Sequence, residues 1–345
     1  MTKTYGEAVV RLGFFNFEHD GGPEKKPGVL PARWTTAHID LLVPRRFDWL
    51  GRAEMTYSQS RPAGPDATGE ELIAAEQAKE AANRRFRAAQ DLLDMKGFRS
   101  PMGQGRNPTG TFIRESTFEF VARHPQLSVW RTPPTNVVLR LREVPERDIV
   151  TLSSHNSFCS PTGREAEGFE MSALWDKVQA KHGDDTDKPW SAFWGASDWN
   201  EYPVPNGETV KSIDWTSPDI TDFVHRAHRA RRQPDGSWKS CTDLDQLMLE
   251  CGMHDPARYA ARYLPNQARA LDATAGHVAV GQGGGRRIDR WCMDPWTVQA
   301  TLEVNVVDTS GISDHHLVEV ILSRRKLVEA LRRQFQPLDP WTPTT

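Results

Sequence analysis

Apolar and polar positions follow two patterns along this chain: short apolar runs bounded by turn residues, and longer segments with helical spacing. The apolar runs predict β-strands over residues 8–17, 47–55, 111–113, 128–130, 136–141, 149–152, 192–197, 299–307 and 316–322. Helical spacing predicts helices over residues 69–96, 168–182 and 324–335, with Gly97 ending the first. Because strands and helices are interleaved, the pattern indicates an α/β fold.

The same pattern predicts how the chain is divided. A single domain is expected over residues 1–336, since no repeat and no low-complexity linker interrupts it. A polar, helix-rich insertion is expected at about residues 203–275. Residues 337–345 are rich in proline, so we expect an extended tail. The length of 345 residues suits one large domain of this kind.

Composition narrows the class of protein but not its activity. The net charge of −3 is close to neutral, whereas a dedicated duplex-binding protein is usually more basic. The chain has no apolar run that could cross a bilayer, and residues 1–7 lack the apolar core of a secretory signal, so we expect a cytoplasmic protein without membrane insertion. The cysteines at 159, 241, 251 and 292 lack metal-ligand spacing; we expect reduced thiols, or a disulfide between two of them.

Three basic runs lie at residues 84–87, 225–232 and 324–326. Such runs usually form the solvated face of a helix. The middle run is the densest and is therefore the candidate for contact with a phosphate backbone, through Arg226, Arg229 and Arg232.

Residues capable of chemistry lie after several of the predicted strands, within residues 286–290, or just before the last strand. They are Asn16, Glu18, Glu54, His155, Asn156, Asp198, Asn200, Asp289, Asp314 and His315. In layered α/β proteins the loops at strand ends converge on one rim, where such side chains meet. Carboxylate and amide oxygens suit a hard cation such as Mg²⁺, whereas a soft metal would need clusters of cysteine and histidine.

Six segments, in this order, resemble the endonuclease/exonuclease/phosphatase superfamily, which has the DNase I-like fold. They are residues 12–18, Glu54, residues 153–156 with Arg164 and Glu165, residues 195–200, residues 287–290 and the Ser-Asp-His run at 313–315. The resemblance spans about residues 9–322. It implies a four-layer α/β sandwich, in which two packed, mostly antiparallel or mixed β-sheets are flanked by helices.

The chain departs from this pattern at two positions. Ala53 stands where the family has a glutamine before its metal-binding glutamate, and Ser197 stands where it has a glycine. Glu70 or Glu71 could be mistaken for the metal-binding glutamate, but both lie inside a predicted helix. Asp198 and Asn200 keep their spacing, so we expect both to face one side of an extended segment.

The resemblance also implies roles for individual residues. The implied metal ligands for Mg²⁺, or for Mn²⁺, are Glu54, Asn16 and Asp314. The implied catalytic residues are His315, Asp198, Asn200, Asp289 and His155. Among these, Asp198 would activate water, and His315, oriented by Asp289, would donate a hydrogen bond to the phosphoryl group. Further contacts to substrate phosphate are expected from Asn156, Arg164, Arg229 and Arg232.

The predicted function is metal-dependent hydrolysis of phosphodiesters by a monomer, with DNA or RNA as substrate. Two alternatives stay open. One is a phosphatase or phosphodiesterase acting on a small phosphorylated molecule or a lipid headgroup, which the near-neutral charge favours. The other is a non-catalytic binding module with the same fold, which the altered surroundings of Glu54 leave open.

Overall fold

The computed structural model describes residues 5–124, 129–175, 190–277 and 279–333. Its strands are β1 (Val9–Asn16), β2 (Trp49–Ala53), β3 (Lys96–Arg99), β4 (Gly110–Ile113), β5 (Phe118–Arg123), β6 (Thr135–Leu141), β7 (Asp148–His155), β8 (Ala192–Asp198), β9 (Ala230–Arg232), β10 (Trp238–Ser240), β11 (Asp289–Met293), β12 (Thr301–Val307) and β13 (Leu317–Ser323). Its α-helices are α1 (Ala32–Thr36), α2 (Gly69–Leu93), α3 (Pro161–Trp175), α4 (Phe223–Arg229), α5 (Asp243–Glu250), α6 (Pro256–Tyr263) and α7 (Arg324–Leu331). A π-helical turn at Ala37–Leu42 continues α1, and 3-10 turns lie at Glu18–Gly21, Val43–Arg45, Ala268–Leu271, Val280–Gln282 and Thr297–Ala300.

Two large sheets form the centre of the molecule. The first has six strands in the order β12-β13-β1-β2-β4-β3, and the second has five in the order β11-β8-β7-β6-β5. Strand β1 is buried on both faces, which explains its continuous apolar run. Leu12 and Phe14 pack into the core shared with the second sheet, while Phe15 and Phe17 pack into a separate core with Trp34 of α1. These alternating directions follow from the two-residue repeat of a strand.

Helices cover the outer faces of both sheets. Phe86 of α2 joins the outer core of the first sheet, and Trp175 of α3 and Met248 of α5 pack into the shared core beside the second sheet. This arrangement confirms the predicted four-layer α/β sandwich with two mixed β-sheets. The predicted insertion contains α4, α5, α6 and the two-stranded β9–β10 ribbon. The division into one domain with an insertion stays a prediction.

Strand direction explains where polar side chains meet. Each large sheet has one central parallel pair, β1 with β2 and β7 with β8, and the other neighbouring strands are antiparallel. The carboxyl ends of these four strands lie on the same rim, with Asn16 beside Ala53 and His155 beside Asp198. Strand β11 runs antiparallel to β8 and places Asp289 opposite Asp198. The rim therefore collects residues distant in sequence.

Several predicted boundaries were wrong. The first predicted helix, α2, ends at Leu93. The next residue, Asp94, adopts a left-handed conformation with φ of 52°. Gly97 lies in β3 instead, where an added Cβ would come within 2.5 Å of the Phe86 ring. Helix α3 begins at Pro161, before its predicted start at residue 168. Strand β12 begins at Thr301, after a 3-10 turn.

Some predicted segments are only partly covered. Val129 and Trp130 do not form the predicted strand, and residue 128 lies outside the described residues. Three other predicted segments also lie outside the described residues. They are residues 176–182 of the predicted helix at 168–182, the end of the last predicted helix beyond residue 333, and the predicted extended tail at 337–345. Within the described ranges, no helix combines the length and apolar character needed to span a membrane. All four cysteines are free thiols.

Candidate active site

The Ser-Asp-His run is joined to the end of β1 by one hydroxyl group. Ser313 Oγ donates to the carbonyl of Asn16 at 2.9 Å and accepts from the main-chain N–H of Glu18 and of His315, each at 3.2 Å. Because this hydroxyl binds the backbone of both segments, it holds His315 and Asp314 next to Asn16.

His315 and Asp289 form a close ion pair. His315 Nδ1 lies 2.7 Å from Asp289 Oδ2, and the Asp289 side chain is fully buried. Burial lowers the pKa of His315, but the carboxylates of Asp289, Asp198 and Asp314 raise it to about 10. Burial raises the pKa of Asp289 to about 6, against the opposing charge of His315. At neutral pH the imidazole is therefore protonated, and its Nε2–H is available to an anion.

Asp198, at the end of β8 in the second sheet, is bonded to Asn16 at the end of β1 in the first sheet. Its Oδ2 accepts a hydrogen bond from Asn16 Nδ2 at 3.0 Å, and its Oδ1 accepts from the main-chain N–H of Asn200 at 2.9 Å. Only 2% of the residue is exposed. Because each oxygen has a fixed donor, the carboxylate is oriented before any substrate arrives.

Glu54 begins the loop after β2, with φ of 55°. Its Oε2 accepts a hydrogen bond from the main-chain N–H of His19 at 2.9 Å, and its Oε1 lies 3.5 Å from His155 Nε2. Burial raises the pKa of Glu54, but His155 and the His19 N–H prevail and lower it to about 2. Burial lowers the pKa of His155, yet Glu54 and Asp198 raise it overall. Glu54 is therefore ionised throughout the physiological range.

The donor atoms at this rim fit a hard divalent cation. Among the described residues, the buried oxygens Asn16 Oδ1, Asp289 Oδ1 and Asp314 Oδ1 have no hydrogen-bond partner. An unpaired buried polar atom costs about 1–3 kcal/mol, so such atoms call for a ligand. With Glu54 and Asp198, the site holds four carboxyl groups against two imidazoles, which leaves an excess of negative charge. Oxygen ligands and negative charge are what Mg²⁺ or Mn²⁺ requires.

A second grouping of potential ligands is also present. Single ligand atoms of Asp198, Asp289 and His315 lie within 4.8 Å of one another. However, His315 is protonated and already bonded to Asp289, and a protonated imidazole does not ligate a metal. Glu54, Asn16 and Asp314 therefore remain the ligands that we expect.

Three of the four residues predicted to contact substrate phosphate are instead buried in the structure. Asn156 is fully buried; its Oδ1 accepts from Ser197 Oγ at 2.6 Å, and its N–H donates to the Asp198 carbonyl at 2.9 Å. Arg164 is also fully buried and forms an ion pair with Glu201 at 3.1 Å. Both residues connect the loops beneath the site, so their predicted role is corrected.

The basic run at residues 225–232 is divided between two elements. Helix α4 ends at Arg229 and strand β9 follows, so the run does not form one helix face. Arg229 is buried and donates to the side chain and carbonyl of Asn200. Arg226 packs over the Trp238 ring at 4.6 Å and donates to the Trp215 carbonyl at 3.1 Å. Of the three arginines, Arg232 in β9 is the exposed one.

Asn200 differs from its expected conformation. It has φ of 51°, so it does not share an extended segment with Asp198. Its Nδ2 donates to the Asn156 carbonyl at 2.9 Å. Ser197, by contrast, causes no disturbance: it stays within β8, and its hydroxyl accepts from Ser154 Oγ at 2.8 Å. A left-handed residue, rather than the strand itself, turns the chain here.

Two supporting groups were missed in the sequence. Thr274 Oγ1 accepts the main-chain N–H of Ile288 at 3.0 Å and of Asp289 at 2.9 Å, and so positions the start of β11. Arg52, fully buried, pairs with Asp20 at 3.1 Å and holds the loop that carries His19. Neither residue has a local signal, because its partners are 14 to 32 residues away.

Comparisons with known proteins address the fold. Neither a protein-family model nor a curated protein matches the chain. Solved structures do match it. An endonuclease/exonuclease/phosphatase from Bacteroides vulgatus has a TM-score of 0.51 and 12% identity, over 92% of this chain and 99% of that one. A family protein from Bacteroides thetaiotaomicron has a TM-score of 0.51 and 11% identity, over 91% and 98% of the two chains.

A 3′ phosphatase from Neisseria, bound to a product DNA hairpin, is similar to the same degree. Its TM-score is 0.51 at 13% identity, over 90% of this chain and 98% of that one. At such low identity the likeness establishes the architecture alone. The chain therefore has the fold of the endonuclease/exonuclease/phosphatase structures, the DNase I-like fold that its six ordered segments predicted.

Proposed function

We propose that the protein is a metal-dependent phosphodiester hydrolase, and that it cleaves DNA or RNA by attack of an activated water on the phosphate. One observation carries this proposal. A protonated His315, paired with buried Asp289, lies on the same rim as an oriented Asp198 and a group of unpartnered acidic and amide oxygens. A cationic donor, a fixed carboxylate and a cation site are the groups that phosphoryl hydrolysis needs.

Each residue has a distinct part in the proposed reaction. Asp198 orients the attacking water and accepts its proton. His315 donates its Nε2–H to a phosphoryl oxygen and offsets the negative charge that develops there. Asp289 keeps that imidazole protonated and correctly rotated. Asn200, held by Arg229, contributes to the phosphate site, and His155 Nε2 lies between Glu54 and Asp198, 3.5 Å from the first carboxyl group and 3.6 Å from the second.

Glu54, Asn16 and Asp314 would hold Mg²⁺ or Mn²⁺. When bound, the ion supplies polarisation of the scissile phosphate and compensates charge on the departing oxygen. The low pKa of Glu54, about 2, keeps that ligand ionised and ready to bind at neutral pH. The unpartnered Oδ1 atoms of Asn16 and Asp314 support their place in the same ligand set.

A phosphatase or phosphodiesterase acting on a small phosphorylated molecule or a lipid headgroup is the second candidate. The burial of Arg164 and Arg229 favours it, because two cations expected to contact a nucleic acid are bound internally. The near-neutral net charge points the same way. A cytoplasmic, monomeric enzyme remains our proposal in either case.

The test is hydrolysis of three substrates with Mg²⁺ and with EDTA: supercoiled plasmid, bis(p-nitrophenyl) phosphate and p-nitrophenyl phosphate. We expect Mg²⁺-dependent nicking that His315→Ala abolishes. Phosphate release from small esters without nicking would overturn the nuclease proposal and favour the second candidate. Inactivity toward all three substrates with any divalent ion would overturn both and leave a binding module.

A further inference from the structure

A cationic cleft lies at the outer edge of the rim that carries the candidate active site. Its volume is about 650 Å³, and Arg61, Lys79, Arg99 and Arg123 all line it. These cations come from separate elements: the loop after β2, helix α2 and the ends of strands β3 and β5. Glu76, paired with Lys79 at 3.1 Å, is the acidic residue among the lining groups. The cleft therefore carries excess positive charge.

The three arginines of the cleft are held by neutral groups. Arg61 Nη2 donates to the carbonyls of residues 103, 104 and 105 at 2.7–3.0 Å. Arg99 donates to the Ser58 carbonyl at 2.8 Å, and Arg123 donates to the Arg99 carbonyl. None of the three has a carboxylate partner among the described residues. Carbonyls fix their positions without cancelling their charge, so each guanidinium remains free to attract an anion.

The pKa shifts of two of these arginines are consistent with the absence of a carboxylate partner. The pKa of Arg99 is lowered by burial and by the nearby charge of Arg123. The pKa of Arg123 is lowered by burial as well. Guanidiniums stay charged in proteins, so the repulsion between them persists until an anion binds.

Strand register places the cleft relative to the site. Arg99 lies beside Gly110, which lies beside Arg52, and Glu54 follows Arg52 by two residues. Two strand spacings of about 4.8 Å put Arg99 about 10 Å from the end of β2. The loop after β2 also joins the two places, since Ser58 binds Asp20 through its hydroxyl and Arg99 through its carbonyl. A ligand that fills both must span at least this distance.

We propose that the cleft binds the phosphate backbone of the nucleic-acid strand that is cleaved, a few nucleotides from the scissile bond. This inference rests on the proposed function and names its substrate class as a polymer. A small phosphorylated molecule shorter than the roughly 10 Å between Arg99 and the end of β2 would not span both places. The cleft also replaces the run at residues 225–232, whose Arg226 and Arg229 are bound internally, as the main contact for the backbone.

The test measures binding separately from catalysis. Anisotropy of a fluorescein-labelled oligonucleotide is recorded in EDTA at several salt concentrations, for wild type, Lys79→Gln and Arg61→Gln. We expect each variant to bind about five- to tenfold more weakly and to lose about one unit of the slope of log K against log salt. Lys79 is exposed and pairs with Glu76 of the same helix, so its replacement leaves the fold intact. Arg325→Gln, an exposed arginine paired with Glu329 in α7, is the control and should match wild type.

Cleavage adds a second readout. The ratio of kcat/KM for the oligonucleotide to that for bis(p-nitrophenyl) phosphate should fall at least fivefold in both cleft variants. Unchanged affinity and salt slope in both would overturn the inference, while ester hydrolysis by wild type would leave the proposed function standing. If wild type hydrolyses no ester and yet the variants bind the oligonucleotide weakly, the proposed function fails and the cleft stands. Displacement of the oligonucleotide by an equal concentration of tripolyphosphate would identify a small-anion site and overturn the inference.

Discussion

Two clusters of buried charge flank strand β11, and they are built in opposite ways. The arginine–carboxylate cluster consists of Arg258, Arg287, Arg290, Glu208, Asp245 and Asp255. Its positive and negative groups are equal in number, and its ion pairs are 2.5–2.8 Å long. The active-site cluster consists of Glu54, Asp198, Asp289, Asp314, His155 and His315. Its carboxyl groups outnumber its imidazoles, and some of its oxygens are unpartnered.

Two buried aspartates show the consequence of this difference. Burial raises the pKa of both, but Arg290 and Arg258 lower that of Asp245 to about 2. Burial prevails at Asp289, where His315 is the opposing charge, and its pKa rises to about 6. A balanced cluster contributes to the fold, whereas an unbalanced one keeps reactive groups close to their working protonation states.

The same short segment supplies both clusters. In residues 287–290, Arg287 and Arg290 join the arginine–carboxylate cluster, while Asp289 turns to the active site. Asp289 and Arg290 are neighbours in β11, and successive side chains of a strand point to opposite faces. The segment therefore attaches the insertion to the site.

Removing a charge from the balanced cluster should give the largest effect on stability. Arg287→Met leaves Glu208 and Asp255 buried without their partner, so we expect a loss of about 3–5 kcal/mol in the free energy of unfolding. Urea denaturation measures this. Ester hydrolysis per folded molecule should stay within about threefold of wild type. Wild-type stability together with a large loss of activity would contradict the assignment of Arg287 to the fold.

Removing the proton donor of the unbalanced cluster should reduce activity rather than stability. His315→Gln is expected to lower kcat/KM for phosphodiester hydrolysis on the order of 10²–10³-fold, because it removes a cationic donor from the developing charge. The matched control is His316→Gln, at the neighbouring position outside this pair. A loss below about tenfold in His315→Gln would count against its role.

The unbalanced cluster should also respond to a metal. Mg²⁺ at about 100 times its Kd should stabilise wild type by about 2.7 kcal/mol, as measured by thermal unfolding with and without EDTA. Glu54→Gln should lose most of this gain, since it removes an ionised ligand. Glu70→Gln, at an exposed position in the first turn of α2, is the control that should keep it. An unchanged response in Glu54→Gln would place the metal elsewhere.

The smallest effect concerns pH. His315 has a folded pKa of about 10, above its ordinary value of 6.5, so its stabilising contribution is complete below pH 6.5 and is lost as the pH rises through about 10. Activity should fall over the same alkaline range. Asp289→Asn removes the main partner and should move this limb of the pH–rate profile down by about one unit or more. An alkaline limb at the same pH in both proteins would exclude His315 as the titrating group.

Much of the fold followed from local pattern. The continuous apolar run of β1 predicts a strand buried on both faces, and the predicted helix at residues 69–96 covers the whole observed length of α2. Strands β3 and β5, which lie at sheet edges, were missed. Strand β3 is short and carries Lys96 and Arg99, whereas Phe118 and Phe120 of β5 do follow the two-residue repeat of a strand. The resemblance of six ordered segments to the endonuclease/exonuclease/phosphatase superfamily implied the architecture, which the solved structures confirm.

The sequence identified several residues that meet at the site, but it did not show which groups each of them contacts. The residues that meet at the rim include Asn16, Glu54, Asp198, Asp289 and His315, as predicted. Their individual roles remain predictions. The sequence could not show that Arg164 and Arg229 are buried, since an arginine is usually exposed unless it is paired.

By itself, the sequence determined the periodicity of the elements, the types of chemical groups and their order along the chain. These are local properties, which depend on the few residues around each position. The tertiary structure decided the partner of each charged group: Arg164 binds Glu201 across 37 positions, Arg229 binds the neutral Asn200 across 29, and Asp289 binds His315 across 26. A charged side chain can hold a ligand or hold the fold. The choice depends on burial and on partners that only the folded chain brings within hydrogen-bond distance.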